Sequence, residues 1–296
     1  MPASRSSERG SIAILALWGL ALIFILLAAV NYLTRSELAI TGNALAAARV
    51  RAAAEAGTQL GLARLLRRRA EGKTMFDGTP ETWQPDSVRT GIAIADEAGK
   101  IDLNLAPLDL LAGLFAAIGQ GREAALLLAC NILDYRGDTG TGCPEPAEAI
   151  GELPRRRERF VAPEELAQLP GFDEALYEAV ADCVTVATSA SAIDPRVAQR
   201  TVLLAIPGAT PALVDAYLDH RETMRDFAGG DDTQLIAAAP ALMTSPMRDF
   251  TISAVATVGN GARFRADLQV RLTGMPNHPY EVLAWRTPRA DRGGRR

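Results

Sequence analysis

A glycine-rich loop that carries several carboxylates holds the residues whose types and spacing are best suited to chemistry. Four acids lie within fifteen positions of one another: Asp134, Asp138, Glu145 and Glu148. Carboxylate oxygens at short spacing can surround Ca²⁺, which takes about six to eight oxygen ligands in a flexible geometry. Their order does not match an EF-hand loop. The residues alone leave two interpretations open, a calcium site and a solvated acidic loop.

The remaining chemistry-bearing residues do not form a catalytic pattern. The 296-residue chain has two histidines, and its three cysteines include no C-x-x-C pair. It contains no G-x-S-x-G or H-E-x-x-H sequence and no glycine-rich phosphate loop. The net charge of −4 provides no overall basic surface for nucleic acid. We therefore expect a protein that is not an enzyme and that binds no nucleic acid.

The N-terminal part of the chain is apolar enough to cross a membrane. A short basic head ends at Gly10, and apolar sequence continues over residues 11–33. A helix rises about 1.5 Å per residue, so a run of this length spans the hydrocarbon core of a bilayer. Two interpretations fit, a cleaved export signal and an anchor that stays. The run is longer than the apolar part of a signal peptide, which favours the anchor.

The sequence after this apolar run is also helical in character. Residues 38–66 are rich in alanine and leucine, which are strong helix formers, and contain no proline. We therefore predict one helix from Ser11 to Arg69 whose second half is amphipathic and faces water. Arg5 and Arg9 precede the span, and the positive-inside rule places them in the cytoplasm. The bulk of the chain is then expected in the periplasm, held by a single pass through a bacterial inner membrane.

The junction of Gly10 and Ser11 resembles the class III signal of type IV pilins and type II secretion pseudopilins. In those families a prepilin peptidase cuts after the glycine and methylates the new N-terminal residue. The resemblance implies a leader of residues 1–10, cleavage between Gly10 and Ser11, and N-methylation of Ser11. The usual glutamate at the fifth mature position is replaced here by Leu15. The minor pseudopilin K (GspK) family lacks this glutamate, so Leu15 suggests the subunit at the tip of a fibre.

A second resemblance to the K family follows the long helix. The alternation over residues 88–96 predicts a strand, residues 96–100 a turn, and residues 101–104 a further strand. Asn104 is positioned to cap the helix that follows. The stretch of residues 96–106 closely matches the family signature DE-x-GKIDLN-x-A.

The central part of the chain is predicted to be helical. Three segments share a plan of a helix, a short glycine-bearing turn and another helix: residues 105–136, 162–184 and 193–221. The leucine-proline-glycine sequence at 169–171 resembles a helix-hairpin-helix, which often binds the DNA backbone. This gives an alternative function, that of a membrane-anchored helix-hairpin-helix DNA-binding protein. Acidic residues follow the turn and would repel phosphate, which favours a packed helical domain instead.

Strand signals return after residue 246. Residues 250–258, 262–272 and 280–286 have the alternation or the β-branched content typical of strands. One strand before the helices and three after them predict a single sheet interrupted by an insertion. The fold class is α+β: a pilin-like long N-terminal helix packed on an antiparallel sheet, with a large α-helical domain, helix-hairpin-helix or SAM-like, inserted between strands.

The predicted organisation has six parts. They are residues 1–10 as a leader peptide, 11–33 as the transmembrane helix, 34–104 as the pilin helix and first strands, 105–245 as the inserted helical domain, 246–287 as the C-terminal strands and 288–296 as a disordered basic tail. A large helical insertion is the feature that distinguishes the K family from other pilin-like proteins.

The resemblance to the K family also implies a function, partners and an ion. It implies a minor pseudopilin at the tip of the type II secretion pseudopilus that takes part in initiating assembly and in protein export across the outer membrane. The implied partners are minor pseudopilins of the I and J types, the prepilin peptidase and the inner membrane. The family's helical domain holds calcium, and Asp134, Tyr135, Asp138 and Glu148 fit its pattern, with Glu145 nearby.

The expected compartment determines what the cysteines can do. The periplasm is oxidising and permits disulfides. Cys143 lies in the acidic loop and Cys183 at the end of a later helix. We predict a disulfide between these two residues, with Cys130 as a small buried apolar residue.

Overall fold

The computed structural model describes most of the chain. The described residues are 7–72, 76–84, 86–138, 142–143, 158–188, 190–223, 248–259 and 261–287. Two of the predicted calcium ligands, Glu145 and Glu148, lie outside these ranges, as does the predicted basic tail of residues 288–296.

A single helix, α1, runs from Ser7 to Ala70. Its 64 residues correspond to a length of about 95 Å at the usual helical rise. The continuous helix that the sequence predicts is therefore confirmed. Its ends lie slightly beyond the predicted bounds of Ser11 and Arg69.

Five antiparallel strands form the main sheet, in the spatial order β1-β2-β5-β6-β7. The strands are β1 (Glu81–Trp83), β2 (Arg89–Asp96), β5 (Asp249–Thr257), β6 (Arg263–Met275) and β7 (His278–Arg286), while β3 (Ile101–Asp102) and β4 (Val184–Thr185) form a small parallel pair elsewhere. Strand β2 pairs with β5 along its full length, from Arg89 opposite Thr257 to Asp96 opposite Phe250. The helical segment between them is therefore an insertion into one sheet, as predicted. The short strand β1 is an addition that the sequence did not indicate.

Small residues allow the second half of α1 to lie very close to this sheet. A Cβ atom at Gly57 would be 2.9 Å from the Cβ of Ala254, and one at Gly61 would be 2.4 Å from Cγ2 of Ile252. Both distances are shorter than carbon atoms tolerate. Glycine at these two positions, one helical turn apart, therefore sets the separation between helix and sheet.

The order of contacts along α1 shows where the insertion lies. Val50, in the earlier part of the packed half, clusters with Ala256 on β5. Leu65, near the end of α1, clusters with Ile94 and Phe250, which are close to the ends of β2 and β5 that lead into the insertion. The helical domain therefore joins the sheet at the end farthest from the apolar N-terminal half of α1.

The insertion is built from short helices around its own core. They are α2 (Leu108–Ala117), α3 (Arg122–Tyr135), a 3-10 helix (Pro163–Gln168), α4 (Glu174–Val180), α5 (Arg200–Leu204) and α6 (Pro211–Thr223). The predicted plan of paired helices with glycine-bearing turns is confirmed. The core consists of large aliphatic side chains together with Phe115 and Tyr217, both essentially buried.

Asn104 does not cap α2 as the sequence predicts. Helix α2 begins at Leu108, with Pro107 at the N-cap position. The Asn104 side chain instead accepts a hydrogen bond from the backbone N–H of Phe160 (2.8 Å) and donates one to its carbonyl (3.0 Å). The predicted strand 101–104 is likewise shortened, because only Ile101 and Asp102 pair, with β4. Both differences arise from contacts with residues more than fifty positions away.

Candidate functional site

The first half of α1 presents an uncovered apolar surface. The segment Ile14–Tyr32 has a mean hydropathy of 2.5 over 19 residues, and none of it is buried in the described fold. Leu15 and Phe24 are 71% and 75% exposed. Among the described residues this is the one segment long and apolar enough to cross a membrane. The candidate single-pass anchor is therefore present where the sequence predicts it.

The predicted processing residues lie at the start of this segment. Gly10 and Ser11 belong to the first turns of α1, which begins at Ser7. Leu15 lies one helical turn beyond Ser11 and adds no charge to the apolar surface. Cleavage after Gly10 and methylation of Ser11 stay predictions.

The apolar surface extends past the length that a bilayer core needs. Leu38, Ile40 and Leu45 are each more than half exposed. Among the residues of α1 whose burial is described, the first buried one is Ala46, and packing on the sheet includes Val50. Exposed apolar surface of this extent is typical of a contact region. Helix α1 therefore carries a segment between the anchor and the sheet that is suited to packing against other chains.

A buried arginine side chain lies at the start of the acidic loop. Arg136 follows the end of α3, and its guanidinium donates hydrogen bonds to the carbonyls of Leu103 (2.9 Å) and Ala106 (2.8 Å). Its Nε also lies 2.8 Å from Oδ2 of Asp138. Among the described residues the Nε–H has no hydrogen-bond acceptor in good geometry, so the contact with Asp138 is an ion pair rather than a hydrogen bond. Arg136 therefore ties this loop to residues 103–106.

The described residues do not form a calcium site by themselves. A cation at Asp138 would share that carboxylate with Arg136. The hydroxyl of Tyr135 is already engaged, because it donates to Oε2 of Glu165 at 2.9 Å. No group of three or more histidine, cysteine or acidic side chains in the described part of the chain is arranged to hold a metal ion. The calcium prediction therefore depends on Glu145 and Glu148, which lie outside the described residues, and it stays a prediction.

The predicted Cys143–Cys183 disulfide is wrong. Cys143 is bonded to Cys130, with their Cα atoms 5.6 Å apart. Cys130 belongs to α3 and Cys143 follows 13 positions later, so the bond holds Cys143 next to the helix. Cys183 is a buried thiol whose pKa is raised to about 11, mainly by burial and also by the charge of Asp182. The short spacing across a helix end was the sequence signal that favoured the observed pair.

A buried charge cluster joins the helical domain to the sheet, and sequence reasoning did not identify it. Glu97 is 2% exposed and accepts hydrogen bonds from Nζ of Lys100 (2.6 Å) and from the hydroxyl of Thr185. Burial raises the pKa of Glu97, but the charge and hydrogen bond of Lys100 and the hydroxyls of Thr185 and Thr251 together lower it below its usual value. The glutamate and lysine of the 96–106 motif, three positions apart, were the available signal.

The turn that resembles a helix-hairpin-helix is already satisfied internally. Gly171 has φ of +84°, as such turns require. Oδ1 of Asp173 accepts a hydrogen bond from the N–H of Leu176 at 2.7 Å, which caps α4. A phosphate at this position would have to displace a carboxylate of the same charge. This geometry disfavours the alternative of DNA binding.

Comparison with known proteins supports the architecture. The sequence matches no protein-family profile and no curated protein. The structure is similar to a chain in the crystal structure of the GspK-GspI-GspJ complex from the type 2 secretion system of enterotoxigenic Escherichia coli, with a TM-score of 0.55 and 16% sequence identity. The match covers 87% of this chain and 99% of that chain. The predicted α+β class, with a pilin-like helix on an antiparallel sheet and further helices, is therefore confirmed.

Proposed function

We propose that this protein is a minor pseudopilin that takes part in initiating a type II secretion pseudopilus, at the tip of the fibre, and so in protein export across the outer membrane. The observation that carries the proposal is a pilin-like helix and sheet with an uncovered apolar N-terminal half and a separate helical domain at the opposite end. A structural protein of this kind needs no catalytic residues. The similarity to a chain of the GspK-GspI-GspJ complex supports the same proposal.

The exposed apolar surface supports assembly with other helices. The segment Ile14–Tyr32 is uncovered in the described fold, so it must be buried by lipid or by other chains. A helix that can exchange lipid for neighbouring helices serves first as an anchor and then as the core of a fibre. Partners with helices of the same kind, the minor pseudopilins of the I and J types, fit this surface.

The position of the helical domain supports the tip of the fibre. It joins the sheet at the end farthest from the anchor, where a further subunit would otherwise be added. Leu15 supports the same position, because a subunit with nothing beyond it needs no carboxylate to pair with a neighbour's terminal amine. An unpaired carboxylate in an apolar environment would be costly.

The disulfide supports a location in the periplasm. The Cys130–Cys143 bond lies in the helical domain, on the far side of the sheet from the anchor. Disulfides persist in oxidising compartments such as the periplasm and are rare in the cytosol. We infer that the N-terminal segment remains in the inner membrane while the sheet and the helical domain lie in the periplasm.

The mature N-terminus is the most direct test of this class. Mass spectrometry of the protein purified from its membrane should find a chain that begins with N-methylated Ser11. A Gly10→Ala variant should retain the leader, because prepilin peptidases of the resembled families cut after glycine. An intact Met1 in the unmodified protein would contradict processing and, with it, the proposed class.

Removal of the insertion tests the role at the tip. Asp96 and Phe250 face each other in the β2–β5 pair, so a tight Asn-Gly turn can replace residues 97–249. We expect longer fibres by electron microscopy, because the domain no longer covers the end of the sheet. Unchanged fibre length, with the shortened chain present in the fibre, would contradict this role.

Calcium binding has a separate test. Titration calorimetry of the full chain with Ca²⁺ should show saturable heat that is lost in the D134N/E148Q variant. No heat and no thermal stabilisation by Ca²⁺ would remove the predicted site.

A further inference from the structure

A cleft of about 360 Å³ separates the helical domain from the main sheet. One wall is formed by Glu174, Tyr177 and Glu178 of α4. The opposite wall is formed by β5 and β6, including Thr251 and Gln269. Arg286, the last residue of β7, also lines the cleft. The cleft therefore lies where the last described strand of the chain ends.

The cleft has an excess of negative charge. Six carboxylate residues line it: Glu97, Glu164, Glu174, Glu178, Asp182 and Asp267. The cationic residues in its lining are Lys100, Arg265 and Arg286. Such an imbalance between two low-dielectric walls produces a negative potential that favours a cationic ligand.

The cations of the cleft are already used by other carboxylates. Each of them pairs with an acid in the same lining. Glu174 and Glu178, one turn apart on α4, form no ion pair with any described residue. Tyr177 lies between them, and its pKa is raised to about 12 by burial and then by the charge of Glu164. The wall formed by α4 therefore presents two carboxylates that are open to an external cation.

The sequence that directly follows β7 has the complementary charge. Residues 288–296 contain four arginines and one aspartate. Nine residues can extend to about 30 Å, which exceeds the width of a cleft of this volume. Thr287 alone separates this segment from Arg286, which lines the cleft.

We propose that the arginine-rich segment 288–296 binds back into this cleft and pairs with Glu174 and Glu178. The planar guanidinium of arginine can form two parallel hydrogen bonds with one carboxylate. Exposed ion pairs are individually weak. A covalent tether of a few residues, however, raises the local concentration of the arginines to about the millimolar range, which favours pairing within one chain over pairing between chains.

This proposed contact between segment 288–296 and the cleft does not depend on the proposed function. The segment bridges α4 and the end of β7, so it connects the insertion to the sheet on the side of β7. Since the binding is electrostatic, it weakens as salt shortens the screening length. The prediction is therefore a contact that salt reverses without unfolding the protein.

Cross-linking of the full chain in detergent micelles tests the proposal. An R289K/R292K variant keeps the charge and provides amines that a zero-length carbodiimide joins to nearby carboxylates. We expect mass spectrometry to find links from segment 288–296 to Glu174 or Glu178. Mixing light and ¹⁵N-labelled chains separates links within one chain from links between chains. The yield should fall severalfold between about 50 mM and 500 mM NaCl, as screening predicts.

Matched acids elsewhere provide the control. Asp109 and Glu123 are exposed carboxylates in the first turns of α2 and α3 and do not line the cleft. In the same R289K/R292K background, E174Q/E178Q should remove the links to α4, while D109N/E123Q should leave them unchanged.

Links spread evenly over surface carboxylates would overturn the proposal and indicate a solvated tail. Links found only between light and labelled chains would also overturn it, in favour of a second copy as the occupant. Because the experiment uses the isolated chain, its failure would leave the proposed role in a pseudopilus untouched.

Discussion

The pilin-like half and the helical domain are held together in different ways. The helix α1 contacts the sheet through small residues, with Gly57 and Gly61 at the closest points. The helical domain has a core of large side chains, and its loops are fixed by polar groups that reach backbone atoms far along the chain. Arg136 bonded to the carbonyls of residues 103 and 106 is one such tie.

The two halves differ in how far apart in the sequence their stabilising contacts lie. Helix α1 and the strands bury apolar residues at regular intervals. A small change in one of these residues is therefore absorbed by a small shift of the helix on the sheet. The helical domain has short helices that are marginal on their own. Their arrangement depends on specific long-range ties, so removal of one tie should loosen the whole domain. Hydrogen exchange measured by mass spectrometry can resolve the two halves, because each has its own core.

The largest expected effect is that of Gly113→Ala in the helical domain. A Cβ atom at Gly113 would lie 2.0 Å from the carbonyl oxygen of Ala205, and a backbone atom cannot rotate away. We expect α2 and α5 to separate at a cost of at least about 3 kcal/mol. Exchange should increase throughout residues 101–223 and not in α1 or β5.

Gly121→Ala is the matched control for that change. Gly121 has φ of −61°, and nothing lies within 4 Å of its Cβ position. We expect a loss of about 1 kcal/mol or less, because Gly121 is the N-cap residue of α3, where alanine is less favourable than glycine. Equal effects of the two variants would show that the α2–α5 contact is not the tie we describe.

Removal of the disulfide should have the next largest effect. A C130A/C143A variant frees a loop whose ends are 13 positions apart. Loop closure of that length contributes about 3 kcal/mol in the chain-entropy model. The thermal midpoint of the unmodified protein in micelles should fall on reduction, and that of the variant should not. Peptide mapping without reduction that links Cys143 to Cys183 would contradict the structure.

The junction between the halves should weaken in acid. Folding lowers the pKa of Glu97 below its unfolded value of about 4.5. Its charged form therefore contributes fully to the free energy of unfolding above that pH, and the contribution is lost as the pH falls through the folded pKa. An E97Q variant should cost about 2 kcal/mol at neutral pH, because Lys100 loses its partner. The difference between the unmodified protein and E97Q in urea unfolding should shrink below about pH 4.5. A difference that is constant down to pH 3 would contradict the assigned charge state.

The smallest of these effects is expected for Gly61→Ala in the pilin-like half. The new methyl group would meet Cγ2 of the buried Ile252, a side-chain rather than a backbone atom, so α1 and the side chain must both shift slightly. We expect a loss of about 1 to 2 kcal/mol, with increased exchange confined to α1 and the main sheet. Gly42→Ala on the same helix, with nothing within 4 Å, should instead stabilise the helix by a few tenths to about 1 kcal/mol.

The regular half of the molecule was largely predictable from sequence. The long helix, strand β2 and the three C-terminal strands follow from helical propensity and alternation, and they lie within a few residues of their predicted bounds. The insertion was predictable as a set of short helices with glycine turns. Its ties were not, because a bond such as Asn104 with Phe160 joins residues 56 positions apart. Local sequence patterns do not predict contacts between residues that are so far apart.

The candidate sites show the same limit. The candidate membrane span was predictable because hydropathy is a local property. The disulfide partner was not, because Cys143 has two possible partners and the choice depends on the path of the chain after α3. The buried position of Glu97 was also hidden, since an acid in a turn is usually solvated.

The pairing of β2 with β5 has a consequence for how the chain folds as it is made. Strand β2 ends at Asp96 and its partner begins at Asp249, so 152 residues must emerge before the pair can form. At about 5–20 residues per second this takes roughly 8–30 s of synthesis. During that interval the alternating apolar face of β2 lacks most of its sheet and is prone to pair with other chains. The order of events is then imposed by connectivity: the apolar half of α1 emerges first, the helical domain can form next, and the sheet closes last.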